Sequence, residues 1–127
     1  MAFIELHDTR IKSFLKQGDI VEIIFNPAPW FEDASDAQNP TKDRWVSAKL
    51  EIADVHKIEY ITKQDEEDIW GGNISIEEET FEDLVPFPLL HENASVNLEF
   101  KLAEGGSLKI RGKGFMLVDA NQIVEGV

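Results

Sequence analysis

The residues here with the most chemistry to offer are three histidines, a crowd of carboxylates and three tryptophans. Nucleophilic catalysis needs a histidine beside a nucleophile and an orienting acid. His7, His56 and His91 lie in no glycine-flanked serine motif, and the chain has no cysteine. His7-Asp8 sets a base next to an acid. Neighbours on a strand point to opposite faces, however, so the pair reads as a polar lead-in to a strand with Asp8 accepting backbone donors. No catalytic residue is expected. The histidines lack the close spacing of a zinc site. Calcium would want hard oxygens such as Asp65, Glu66, Glu67, Asp68, Glu77, Glu78 and Glu79, with Asn73 nearby. No Asp-x-Asp-x-Asp-Gly loop holds them, so neither a metal nor a cofactor is expected. Glycoside hydrolysis would need two of these acids facing each other across a cleft, and their number and clustering read instead as surface.

That clustering is the strongest asymmetry in the chain. Gln64 to Phe100 carries eleven carboxylates and no lysine or arginine, while the whole chain is −13 from 25 acids and 12 bases. Nearly all of the imbalance therefore lies in one segment. Such a run either serves as a solvated face or steers a basic partner by its field. As an interface, it would be formed by Asp65, Glu66, Glu67, Asp68, Trp70, Glu77, Glu78 and Glu79. A pI near 4.5 disfavours nucleic acid and anionic membranes, which need clustered Lys and Arg.

The aromatics offer a second route to binding. Trp30 and Trp70 fall in loop contexts and Trp45 on an expected strand. A tryptophan on a β-module can stack on a sugar, anchor a protein partner or fold back over the core. A ligand- or carbohydrate-binding module is the alternative to the acidic interface.

The 127 residues fit one domain, 1–127, able to build a core without disulfides. The opening residues show no basic stretch followed by an apolar run, and no stretch reaches a membrane-spanning length. A cytoplasmic protein is expected. The apolar pattern is that of strands. Ile11–Lys16 and Ile20–Phe25 flank a turn at Gly18. The prolines of Asn26-Pro27-Ala28-Pro29 should end the second strand, leaving 30–42 as a loop. Arg44–Ala53 alternates with period two, and a bend at Ala53-Asp54 would let the chain continue to Ile61 in another part of a curved sheet. Thr62–Asp68 reads as a loop, Trp70-Gly71-Gly72 as a turn, Asn73–Glu78 as a strand and Glu79–Leu84 as one helical turn. Val85–Leu90, held extended by its prolines, suits an edge. Val96–Leu102 and Ser107–Arg111 form a hairpin with one wet face, where Glu99 could meet Lys109 or Arg111. A strand over Phe115–Val118 and a frayed tail after Asp119 complete the chain. The fold class is all-β: an antiparallel curved sheet, two-sheet sandwich or partly open barrel of six to eight strands with little helix.

Leu6-His7-Asp8-Thr9-Arg10-Ile11, the Gln17-Gly18-Asp19 hairpin, the Trp45–Val55 strand and the Gly105-Gly106-Ser107-Leu108-Lys109-Ile110 hairpin resemble small bacterial proteins that open on a His-Asp-x-x-Ile pattern. Some of these are grouped with the immunity proteins of polymorphic toxin systems. The resemblance runs from Leu6 to Gly112. It implies a cytosolic, β-rich, non-enzymatic protein that masks a toxin by binding it, here a basic one met by an acidic face.

Overall fold

A computed structural model describes residues 2–33, 35 and 44–120. They form ten strands, all paired antiparallel: β1 (Phe3–Glu5), β2 (Arg10–Gln17), β3 (Ile20–Phe31), β4 (Trp45–Ile52), β5 (Lys57–Ile61), β6 (Glu67–Ile76), β7 (Glu79–Glu82), β8 (Leu84–Pro86), β9 (Leu89–Leu102) and β10 (Ser107–Asp119). One sheet runs β2-β6-β9-β10-β4-β3-β1-β8, with β5 added to β10 and β7 to β6. Because β2 also pairs with β3, the sheet curls back on itself. The returning seam between β2 and β6 is two residue pairs long, Arg10 with Asp68 and Ile11 with Glu67. The result is a ring-like, partly open curved sheet, in keeping with the all-β expectation. No helix among the described residues is long and apolar enough to cross a membrane.

Period-two alternation decides which side chains fill the curl. On β4, Ala48, Leu50 and Ile52 point inward; on β9, Val96, Leu98, Phe100 and Leu102 do so; on β10, Leu108 and Ile110 join them. Phe25 and Phe100 meet near the middle, their rings 6.1 Å apart and tilted by 49°. The chain bends at Asp54, where φ is 48°, as expected at Ala53-Asp54. Both β4 and β5 can therefore pair with the single long strand β10.

Where the strands differ from the sequence reading, bulges are the cause. β3 runs through Pro27 and Pro29 to Phe31 because its register against β4 shifts between Phe25 and Ala28. The irregular stretch absorbs an imino residue that a regular ladder would reject. Trp30 is thereby part of a strand, half-buried, with the Arg44 guanidinium 5.2 Å from its ring centre. Ten strands replace the expected six to eight, and they include two short ones, β1 and β7, to which the sequence reading assigns no strand. Glu79–Leu84 is not a helical turn. Its first four residues form β7, and the Ser75 and Thr80 hydroxyls lie 2.9 Å apart across the β6–β7 pair. Pairing with a neighbouring strand overrides a weak capping pattern. The edge expected over Val85–Leu90 holds only for Val85-Pro86, in β8, the last strand of the path; Leu89 and Leu90 begin β9, which lies inside the sheet between β6 and β10. The expected frayed tail and most of the expected 30–42 loop lie outside the described residues.

Gly112 marks a tight crossing in this arrangement. A Cβ placed there would lie 2.6 Å from both the Ala53 carbonyl oxygen and Ile52 Cγ2. Backbone and buried side chain cannot both retreat, so Gly112→Ala should destabilise the protein by about 1–3 kcal/mol, read as a lower urea midpoint with unchanged slope.

Candidate functional site

The acidic run does not form one face. Asp65–Asp68 stand at one end of β6 and Glu77–Glu79 at the other, about 30 Å apart at the usual rise per residue. At the first end the acids are largely spoken for. Arg10 Nε donates to Asp68 Oδ1 at 2.9 Å, and Lys12 Nζ lies 3.1 Å from Glu66 Oε1. Glu67, expected on the partner surface, is 2% exposed. Its Oε2 accepts the Thr62 hydroxyl at 2.5 Å, and its Oε1 has no partner among the described residues. The sequence reading placed Glu67 in a loop, but it begins β6 with the inward parity of Ile69, which carries it under the seam. At the far end, Glu77, Glu78 and Glu79 are exposed, and Glu77 Oε1 also accepts the Ser95 amide at 3.0 Å.

Trp70 is the one aromatic residue of the expected set, and the fold displays it. It is 65% exposed, more than Trp45 at 50%. Trp70-Gly71-Gly72 is not a turn; it lies within β6, whose register against β9 shifts between Ile69 and Gly71. The shift breaks the alternation. Ile69 and Ile74 both point inward, and the interposed Trp70 is thrown out to solvent.

A bulge leaves backbone groups outside the ladder, and these need partners. The Leu6–Thr9 turn provides them. The Asp8 amide donates to the Ile69 carbonyl at 3.1 Å, and the Ile69 amide donates to the Thr9 carbonyl at 2.8 Å. His7 Nδ1 lies 2.5 Å from the Trp70 carbonyl oxygen. A carbonyl can only accept, so Nδ1 carries a proton. The turn is anchored in its own right: the His7 amide donates to Asp83 Oδ1 at 2.8 Å, and Asp8 takes a φ of 70°. Thus His7-Asp8 leads into β2 as a turn and not as part of a strand. The turn brings His7 Nε2 to 3.6 Å from Asp8 Oδ1, where a strand would have separated them. The imidazole and indole stand nearly perpendicular, their centres 5.4 Å apart.

Beside this pair runs an open groove of ≈ 740 Å³. His7 and Trp70 stand at its edge, Glu82 and Asp83 flank it, and the wet face of β6, β9 and β10 forms its floor. Register fixes the floor. Gly71 lies opposite Lys101 and Asn73 opposite Glu99; across β9, Lys101 faces Ser107 and Glu99 faces Lys109. The sequence reading expected Glu99 to meet Lys109 or Arg111, and the register selects Lys109. The two glycines differ in role. A Cβ at Gly72 would lie 2.6 Å from Phe100 Cδ1 and 2.7 Å from the Glu99 carbonyl oxygen, so Gly72 lets β6 and β9 close over the core. A Cβ at Gly71 would meet nothing within 4 Å. Nothing in the packing demands a glycine there, and its bare backbone keeps the groove open.

Charges around the turn shift two groups. The His7 imidazole is held above its ordinary value, chiefly by the Trp70 carbonyl and with help from Asp8, Asp83 and Glu5. Glu5 is also raised, by burial first and then by Asp83. Among the described residues, no three His, Asp or Glu side chains come together as a metal site would require. Compared with protein-family models, curated proteins and solved structures, the chain returns no match.

Of the residues lining the groove, the sequence reading names Trp70 as partner-binding and does not bring His7, Asn73, Glu99, Lys101, Ser107 and Lys109 together with it. The available signal was the Trp-Gly-Gly step inside an otherwise alternating stretch, since glycines within a strand mark bulges and close approaches.

Two tests follow. Gly72→Ala should cost about 1–3 kcal/mol, whereas Gly71→Val should leave stability within about 1 kcal/mol of the parent; urea unfolding distinguishes them. The raised His7 value means the folded state binds a proton more tightly than the unfolded chain. Its stabilising contribution is complete below the ordinary histidine value and disappears as pH rises through the folded one. Lowering pH from about 8 to about 6 should therefore raise the thermal midpoint of the parent more than that of His7→Gln. Parallel curves for the two proteins would refute the stabilising role of the protonated His7 imidazole.

Proposed function

We propose that this chain is a non-catalytic binding protein that works through the groove at Trp70, and that the groove takes a carbohydrate. Trp70 carries the reading. A large indole held 65% in water offers apolar area for another molecule to cover. Its backbone is fixed by the bulge and by His7, so little conformational freedom remains to be lost on binding. Donors and acceptors alternate below it: Asn73, Lys101, Ser107 and Lys109 beside Glu82 and Glu99. Hydroxyl groups, each both donor and acceptor, match that mixture, and the apolar faces of sugar rings match the indole. Interleaved Lys and Glu leave no cationic cluster of the kind that selects phosphate. The non-catalytic reading is supported by the chain's lack of cysteine and of any Gly-x-Ser-x-Gly motif beside its histidines.

A second reading is an immunity-like role in the cytoplasm, with the chain masking a basic protein such as a toxin. It is favoured by the exposed Glu77, Glu78 and Glu79 and by the net charge of −13, which would speed encounter with a cationic partner. In that case Trp70 would be the apolar anchor.

Calorimetry against a panel of soluble neutral oligosaccharides, and against basic proteins encoded by neighbouring genes, tests both. Carbohydrate binding should weaken by about tenfold or more in Trp70→Ala and vary little with salt. Masking of a basic partner should weaken steeply with salt and with charge reversal at Glu77, Glu78 and Glu79. If Trp70→Ala leaves the affinity of every ligand found unchanged, the groove is not the working surface.

A further inference from the structure

Trp70 borders two hollows. Beyond the main groove lies a second, of ≈ 410 Å³, lined by Trp70, Lys101, Leu102, Ala103, Gly105 and Gly106. The two share Trp70 and Lys101, so they are neighbours rather than separate sites. They differ in make-up. The first is floored by polar side chains on three strands; the second is formed by the β9–β10 turn, where small residues leave much of the lining to backbone. Gly106 there packs against the Ile61 carbonyl, and Ile61 itself is 52% exposed, adding apolar surface beside the turn. Both hollows are open to solvent, so nothing among the described residues caps the end of an occupant.

We infer that the ligand is an oligosaccharide that passes across Trp70, with one part in the groove at Asn73 and Glu99 and the next against the turn at Ala103–Gly106. This rests on the carbohydrate reading and adds to it. A single ring would need only the first hollow. It would leave the second, and the side of the indole that borders it, unused. A chain bound across both gains a second set of contacts without paying again for association, so affinity should rise with length until both hollows are filled. Because the site is open, recognition falls on internal units and not on a reducing or non-reducing end. Lys101, bordering both hollows, is the donor placed to reach hydroxyls on either side.

The experiment is a length series. Mono- to pentasaccharides of glucose, xylose and N-acetylglucosamine are titrated into the intact protein, with tryptophan fluorescence and calorimetry as readouts. The series that binds should gain about tenfold or more in affinity between the mono- and the trisaccharide. Ala103→Trp, which fills the second hollow from an exposed position, should abolish that gain. Gly71→Val, which narrows the first, should weaken every length. Amide shift mapping on the unaltered protein gives an answer free of any folding defect: the trisaccharide should perturb Ala103 and Gly105, and the monosaccharide should not. Equal affinity at all lengths, with Ala103 and Gly105 unmoved and Trp70→Ala still damaging, would overturn the two-hollow inference and keep the groove. Silence from every sugar at every length would overturn the carbohydrate reading itself, and this inference with it.

Discussion

The display of Trp70 depends on one irregularity, the bulge in β6 between Ile69 and Gly71. A regular strand would have continued the alternation, and Trp70 and Ile69 would each have kept the parity that β9 imposes. The extra residue separates two inward isoleucines, Ile69 and Ile74, by an odd number of positions, and the tryptophan is expelled. Such a device survives only if its displaced amide and carbonyl groups are satisfied, since an unpaired buried backbone group costs about 1–3 kcal/mol. The Leu6–Thr9 turn satisfies Ile69 on both sides, and the His7 ring reaches the Trp70 carbonyl. The site is thus held by residues more than sixty positions away in the chain. Its edge is also where the sheet closes on itself, because Arg10 and Ile11 meet Asp68 and Glu67 immediately before the bulge.

Charge takes on a different meaning in this setting. An acidic run read along the chain suggests one negative face. In the folded protein it is divided among tasks. Asp68 and Glu66 meet Arg10 and Lys12 from β2, ion pairs that are well exposed and so contribute little to stability. Their consequence is local: cations from outside the segment neutralise part of its field next to Trp70. Glu67 is buried against Thr62, and Asp83 anchors the His7 turn through its side chain and backbone. What remains as open negative surface among the described residues is the Glu77–Glu79 end together with Asp65, Glu82 and Glu92. The main groove, meanwhile, holds charges of both signs at neighbouring register positions, which suits a neutral polar occupant better than a strongly cationic or anionic one.

Much of the fold was legible because period-two patterns are local and strong. The β2–β3 hairpin around Gly18, the β9–β10 hairpin, the β4 alternation and the bend at Asp54 all follow from neighbouring residues. The misreadings share a cause. Asn26-Pro27-Ala28-Pro29, Trp70-Gly71-Gly72 and Glu79-Thr80-Phe81-Glu82 each carry local signals for a break or a helix. Each is nevertheless extended: bulges accommodate the prolines and the glycine pair, and at 79–82 a partner strand supplies hydrogen bonds that outweigh a weak helical preference. Bulges are decided by the register of two strands and so leave little trace in one.

The sequence by itself determined the class of the fold, its single hydrophobic set, the lack of cysteine chemistry and the concentration of carboxylates between Gln64 and Phe100. Composition and periodicity are additive properties of a chain, and folding does not change them. Which carboxylates are free, which tryptophan is presented and which side chains share a floor were decided by tertiary structure alone. Those facts turn on registers: Gly71 against Lys101, Glu99 against Lys109, Arg10 against Asp68. A displacement of one residue in any of them would carry the side chains to the opposite face of the sheet, and nothing local to β6 says where that displacement occurs.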